Sequence, residues 1–101
     1  MRLNETEKKV LIDAIHAHDP SASVWLFGSR VDDRKKGGDI DVAIQSKRIG
    51  IMEKIRIKRV VTDALGEQKI DIIVSPDGAD PFFRLAMEKG VRIDGPRIRN
   101  R

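Results

Sequence analysis

The chain has 101 residues, of which 40% are hydrophobic and 4% aromatic, and its formal net charge is +4. This length suits one domain with an aliphatic core and is too short for a catalytic domain joined to a separate substrate domain. Because there is no cysteine, disulfides and thiolate metal sites are excluded. Because the chain is too short for a separate substrate domain, we expect a second copy or a different protein to hold part of any substrate.

The distribution of charge and apolar residues bears on location and partners. Three arginines at the end of the chain, Arg97, Arg99 and Arg101, supply most of the net charge, so the remaining body is near neutral and nucleic acid is not expected as the main partner. No apolar run is long enough to span a membrane and no signal peptide is recognisable, so we expect a cytoplasmic protein. We assign residues 1 to 95 to one domain and residues 96 to 101 to a basic, flexible tail.

The first predicted elements are a helix and a strand. Asn4 as N-cap with Glu7 three residues later starts a helix over residues 4 to 18. A turn with proline ends this helix, and the apolar run of residues 24 to 27 predicts a buried strand. The strand ends at Gly28, and the charged loop of residues 31 to 38 is expected to be exposed and mobile.

Strict alternation over residues 39 to 44 predicts the next strand. Its apolar face consists of Ile40, Val42 and Ile44, and Asp39 and Asp41 lie on the other face. Because successive side chains of a strand point to opposite faces, the two carboxylates stand side by side, roughly 6.5–7 Å apart at their Cα atoms. We expect them to converge on one site.

A helix, a strand and a further helix are predicted next. Residues 51 to 65 form the first of these helices. Its predicted solvated face carries Lys54, Arg56, Lys58 and Arg59. Its predicted broad apolar stripe consists of Ile51, Ile55, Ile57, Val60, Val61, Ala64 and Leu65. Residues 69 to 74 alternate again, and Asp71 lies opposite their apolar face. Asp80 as N-cap and Gly90 as terminator define the last helix, before a short closing strand. This order predicts an α+β fold, a small mixed sheet of three to four strands covered by about three helices.

The three aspartates indicate a metal site. Asp39, Asp41 and Asp71 on one face of neighbouring strands would repel one another, and a divalent cation removes that repulsion. Hard oxygen ligands suit Mg²⁺ or Mn²⁺, which share carboxylates with substrate phosphates. The alternative is that each aspartate is an ordinary exposed residue, which suits a lone aspartate better than a matched set.

The turn before the loop has the residues of a phosphate site. Gly28 lets the backbone approach a ligand, Ser29 offers an N–H and a hydroxyl, and Arg30 adds a cation suited to phosphate oxygens. Together with the aspartates, these residues predict a nucleoside triphosphate site. Competing templates fail, since the chain has no P-loop, no dinucleotide-binding glycine pattern and no nucleophile elbow.

Gly28-Ser29-Arg30, followed by Asp39-Ile40-Asp41 and later Asp71, resembles the nucleotidyltransferase signature of the DNA polymerase β superfamily, in particular its minimal single-domain members. The order of elements is also similar over nearly the whole chain. The resemblance implies the nucleotidyltransferase fold, with Asp39, Asp41 and Asp71 as catalytic metal ligands and the Gly-Ser-Arg segment as the nucleotide phosphate site. One departure is the loop sequence Val31-Asp32-Asp33-Arg34, where many members carry a small residue and a basic-Gly pair.

The resemblance also implies an activity and a partner. The activity is transfer of AMP from ATP, with Mg²⁺ or Mn²⁺ as cofactor, to a hydroxyl acceptor. Minimal members commonly act as antitoxins beside a small helical HEPN-type toxin, and a tyrosine of that partner is the implied acceptor. Two alternatives are a partner-binding module with a residual nucleotide site and a nucleic-acid-binding protein that uses the basic tail.

Overall fold

The computed structural model describes residues 4 to 28, 40 to 66 and 69 to 94. The elements in chain order are α1 (Glu5–His16), β1 (Ser23–Phe27), β2 (Ile40–Gln45), α2 (Ile51–Leu65), β3 (Ile70–Ser75), α3 (Pro81–Lys89) and β4 (Val91–Arg92). The strands form one sheet in the order β3-β2-β1-β4, in which β2 and β3 are parallel and the other pairs antiparallel. The predicted α+β class with a small mixed sheet and three helices is confirmed, and it is consistent with a nucleotidyltransferase-like fold.

Two apolar layers cover the two faces of the sheet. One face packs against α1 and α2 and forms the main core, to which the strands contribute Val24, Leu26, Ile40, Val42, Ile44, Ile70 and Ile72. The other face packs against α3, where Phe83 and Ala86 cover Ala43 of β2 and contact Trp25 and Phe27 of β1. Alternation along each strand therefore decides which helix a side chain meets, as the sequence pattern predicts.

Capping residues define the helix starts. The Asn4 side chain accepts a hydrogen bond from the Glu7 N–H at 2.7 Å, and the Glu7 carboxylate accepts one from the Asn4 N–H at 3.0 Å. Asp80 accepts from the N–H groups of Phe82 and Phe83 at 2.9 and 3.0 Å. Both predicted N-caps are therefore confirmed, and the first N–H groups of α1 and α3 gain the partners that a helix start otherwise lacks.

The predicted apolar stripe of α2 is too broad. Ile57 and Val61 are fully buried, whereas Ile51 is 74% exposed and Ile55, Val60 and Ala64 are also exposed. At 3.6 residues per turn, Ile51 and Ile55 lie about 120° and 160° around the helix axis from Ile57, outside the stripe that one sheet face and one neighbouring helix can cover.

The cations of α2 follow the prediction with one exception. Arg56, Lys58 and Arg59 are exposed, as expected for a solvated face, but Lys54 is half-buried beside β3. In the described ranges, no helix is long and apolar enough to cross a membrane. The predicted mobile loop of residues 31 to 38 and the predicted tail of residues 96 to 101 lie outside the described residues.

A pair of substitutions in α2 tests this burial pattern. Ile57→Ala is expected to lower the free energy of unfolding by about 2–5 kcal/mol, because it leaves a cavity in the main core. Ile55→Ala, two residues earlier on the exposed side, is expected to change it by no more than about 0.5 kcal/mol. Urea denaturation followed by circular dichroism measures both, and equal losses would contradict the orientation of α2.

Candidate active site

Two of the three predicted catalytic aspartates lie side by side on the sheet. Asp41 of β2 pairs in register with Asp71 of β3, and on its other side Asp41 pairs with Phe27 of β1. Residues paired in register project from the same face, and neighbouring strands are about 4.8 Å apart. Phe27, Asp41 and Asp71 therefore form a row across three strands on the face that α3 covers. Asp71 is exposed and Asp41 is half-buried.

Burial on the opposite face holds this row in place. Ile40 and Val42 flank Asp41, Ile70 and Ile72 flank Asp71, and all four isoleucine and valine side chains are buried in the main core. A shift of one residue in either strand would exchange an aspartate for a core residue. The hydrogen bond from the Ile40 N–H to the Lys69 carbonyl, 2.9 Å long, closes the ladder at this end of the sheet.

Gly28 lies against the Asp41 carboxylate. Its φ is +79°, a conformation that residues with a side chain rarely adopt, and a Cβ at this position would overlap Oδ2 of Asp41 and lie 3.1 Å from its Cγ. The sequence predicted a glycine that lets the backbone approach a ligand. The structure shows that the missing side chain leaves room for the Asp41 carboxylate beside the end of β1.

The remaining predicted site residues fall in one segment. The structure does not describe Ser29 and Arg30, which are predicted to contact phosphates. It also does not describe Asp39, which is predicted as a metal ligand. Within residues 4 to 28, 40 to 66 and 69 to 94, no three acidic or histidine side chains form a set that could hold a metal ion. The described part of the site thus consists of Gly28, Asp41 and Asp71.

A second polar cluster lies at the opposite end of the sheet, and sequence reasoning missed it. Asp19 is only 5% exposed, and its carboxylate accepts hydrogen bonds from the Ser46 hydroxyl at 2.6 Å and from the Ser21 N–H at 2.9 Å. The Ser46 oxygen in turn accepts from the N–H groups of Arg48 and Ile49. The hydrogen bond from the Ser46 hydroxyl is the main reason why the pKa of Asp19 is lowered.

The Asp19 cluster joins two segments of the fold. Both carboxylate oxygens of Asp19 already accept hydrogen bonds from the chain itself, and they tie the turn before β1 to the end of β2. In the sequence, Asp19 precedes Pro20 in the turn that ends the first helix, which indicates only a turn. Its partner Ser46 is 27 residues away along the chain, so no local pattern reveals the contact.

Comparison with known proteins adds no relative. The chain matches no protein-family model, and it matches no curated protein. The functional assignment therefore depends on the residues of the site and on the fold that positions them.

A glycine pair tests the contact between Gly28 and Asp41. Gly28→Ala is expected to destabilise the fold through both its positive φ and the overlap with the carboxylate, whereas Gly66→Ala has a similar φ of +87° with nothing within 4 Å. Gly66→Ala should cost about 1–3 kcal/mol for the backbone conformation alone, because its positive φ with ψ of 179° is essentially restricted to glycine. The difference between the two losses, measured by urea denaturation, reports the Asp41 contact, and equal losses would contradict it.

The Asp19 cluster is tested by pH. Because the pKa of Asp19 is below its ordinary value of 3.8 in the folded state, the ionised carboxylate stabilises the fold fully above pH 3.8, and this contribution is lost as pH falls through the lowered folded pKa. Ser46→Ala is expected to cost about 1–3 kcal/mol near neutral pH, because it leaves buried groups without partners. The difference from the natural protein should shrink when unfolding is measured below pH 3.8.

Ser21→Ala is the matched control for this cluster. Ser21 donates to Asp19 through its backbone N–H, which alanine retains, so the free energy of unfolding should stay within about 0.5 kcal/mol of the natural protein at both pH values. A loss in Ser46→Ala that does not depend on pH would mean that the hydroxyl does not stabilise the ionised Asp19.

Proposed function

We propose that this chain is a metal-dependent nucleotidyltransferase that moves a nucleoside monophosphate, AMP from ATP, to a hydroxyl acceptor. The observation that supports this most directly is the register pair of Asp41 and Asp71, with Gly28 against the Asp41 carboxylate. Two carboxylates at the same level of adjacent strands repel each other and weaken a sheet. A divalent cation held between them would reduce this repulsion.

The residues present fit a divalent cation. Asp41 and Asp71 supply hard carboxylate oxygens of the kind that Mg²⁺ and Mn²⁺ take, and the exposure of Asp71 leaves access for substrate phosphates. Asp39 would be the third ligand, as the Asp-x-Asp sequence predicts. When bound, the cation would neutralise phosphate charge and lower the pKa of the acceptor hydroxyl.

The residues of the chain would orient the two reactants for an in-line displacement. The acceptor oxygen forms a bond to the α-phosphorus, the bond from that phosphorus to the bridging oxygen breaks, pyrophosphate leaves, and the hydroxyl proton passes to water. Ser29 and Arg30 are proposed to hold the leaving phosphates, and Asp71 is proposed to face the acceptor. Gly28, which has no side chain, leaves room for the Asp41 carboxylate.

We further propose that the acceptor is a tyrosine of a helical HEPN-type toxin and that the chain acts as its antitoxin. This chain has no tyrosine, which agrees with an acceptor on another protein. A cytoplasmic complex of this kind also agrees with the small size of the domain. The exposed apolar residues of α2 favour a second candidate function, a partner-binding module with little catalysis.

Binding of Mg²⁺ and ATP tests the proposed site. Asp41→Asn and Asp71→Asn are each expected to weaken binding of a non-hydrolysable ATP analogue at least about tenfold in titration calorimetry, since each loses a charged ligand of the cation. Asp63→Asn is the matched control, because Asp63 is an exposed aspartate of α2 on the other face of the sheet. Equal affinity in all four proteins would overturn the proposed metal and nucleotide site.

Intact-mass measurement separates the two candidate functions. The protein purified with its co-expressed partner, ATP and Mg²⁺ should add the mass of one AMP group to that partner, and Asp41→Asn should abolish the addition. Tight binding to the partner without any adduct would support the binding module instead. Salt-sensitive binding to DNA or RNA would point to a nucleic-acid function.

A further inference from the structure

Phe82 is a large apolar side chain that the fold leaves in solvent. It lies in the first turn of α3 and is 58% exposed, whereas its neighbour Phe83 is almost fully buried against the sheet. Adjacent residues of a helix point about 100° apart, so only one of the two can face the sheet. The exposed ring of Phe82 is therefore accessible to a ligand.

Phe82 contacts the row of Phe27, Asp41 and Asp71 through Phe27. Its ring meets the ring of Phe27 edge to face, with centroids 6.5 Å apart and planes at 88°. Phe27 pairs in register with Asp41, which pairs with Asp71. Phe82 therefore stands on the face of the sheet that carries the two carboxylates.

Phe82 also forms one wall of a groove at the free edge of β3. The groove has a volume of about 310 Å³, and its apolar lining includes Ile72, Ile73 and Val74 of β3 together with Phe83. Lys54 of α2 supplies a cation to it. Ile73 lies two residues beyond Asp71 on the same face, so the groove begins next to the carboxylate site. Its volume lies at the lower end of the range for small-molecule sites.

The outer edge of β3 gives this groove backbone hydrogen-bonding groups. The Ser75 carbonyl accepts from the Ser46 N–H, which shows that Ser75 and, by alternation, Ile73 and Asp71 direct their backbone groups towards β2. Ile72 and Val74 therefore direct theirs outwards. Among the described residues β3 has no neighbouring strand on that side, so an N–H and a carbonyl are available to a ligand in the groove.

We propose that this groove is the nucleobase subsite, with Phe82 as the ring on which the base stacks. The inference rests on the proposed function, because it places the base of the nucleoside triphosphate whose phosphates lie at Asp41 and Asp71. An aromatic wall, an apolar floor and a paired donor and acceptor on the edge strand match the flat faces and the polar edge of a base. A strand of a second copy, the other occupant that a free edge could take, would not need the aromatic ring.

Paired binding measurements test the base subsite. Phe82→Ala is expected to weaken binding of ATP with Mg²⁺ by about 5- to 150-fold, the range for loss of one base stack, and to leave binding of inorganic triphosphate with Mg²⁺ unchanged. Phe82→Trp should retain ATP binding because it retains an aromatic face. Leu85→Ala is the matched control, since Leu85 is 46% exposed on the same helix and does not line the groove.

The outcomes are distinct. If the natural protein binds both ligands, and Phe82→Ala and Leu85→Ala bind ATP equally well, the base subsite is overturned and the proposed function still stands. Natural protein that binds neither ATP nor inorganic triphosphate would overturn both. A dimer in analytical ultracentrifugation that Phe82→Ala dissociates would show that a second copy covers the groove. Because Phe82 is exposed, its variants should fold, and their unfolding midpoints verify this.

Discussion

The parallel pairing of β2 with β3 is the constraint on which the rest of the site depends. Its register is fixed from behind, by the buried aliphatic residues that alternate with Asp41 and Asp71. A slip of one residue would bury a carboxylate in the main core, and burying an unpaired charge is far more costly than losing a single apolar contact. The hydrophobic core therefore determines the geometry of the charged face, although the two share no side chains.

The antiparallel partner of β2 adds the next constraint. Since β1 runs opposite to β2, its last residues lie beside Asp41, and this places Phe27 in the row and Gly28 against the carboxylate. A residue with a Cβ at position 28 would displace the Asp41 side chain. The same strand end also carries the aromatic contact to α3, so the helix and the carboxylates are positioned by one short segment of chain.

Much of this arrangement could be predicted from the sequence, because the decisive signals are local. Alternation gives the faces of β2 and β3, and capping residues give the starts of α1 and α3. Strand order, the depth of burial of α2 and the bond between Ser46 and Asp19 depend on contacts between distant segments. The sequence offers both Phe82 and Phe83 for packing, but only Phe83 is buried, and Phe82 stays exposed. The roles assigned to Ser29, Arg30 and Asp39 stay predictions.

The two polar ends of the sheet differ in a way that bears on function. At one end, Asp19 is buried and its oxygens accept hydrogen bonds that stabilise the fold. At the other end, Asp71 is exposed beside a second carboxylate, and like charges at paired positions of a sheet are destabilising. Threonine at position 71 would serve a purely structural sheet better. We propose that the carboxylate pair of Asp41 and Asp71 serves a bound cation, whereas Asp19 is explained by its hydrogen bonds within the fold.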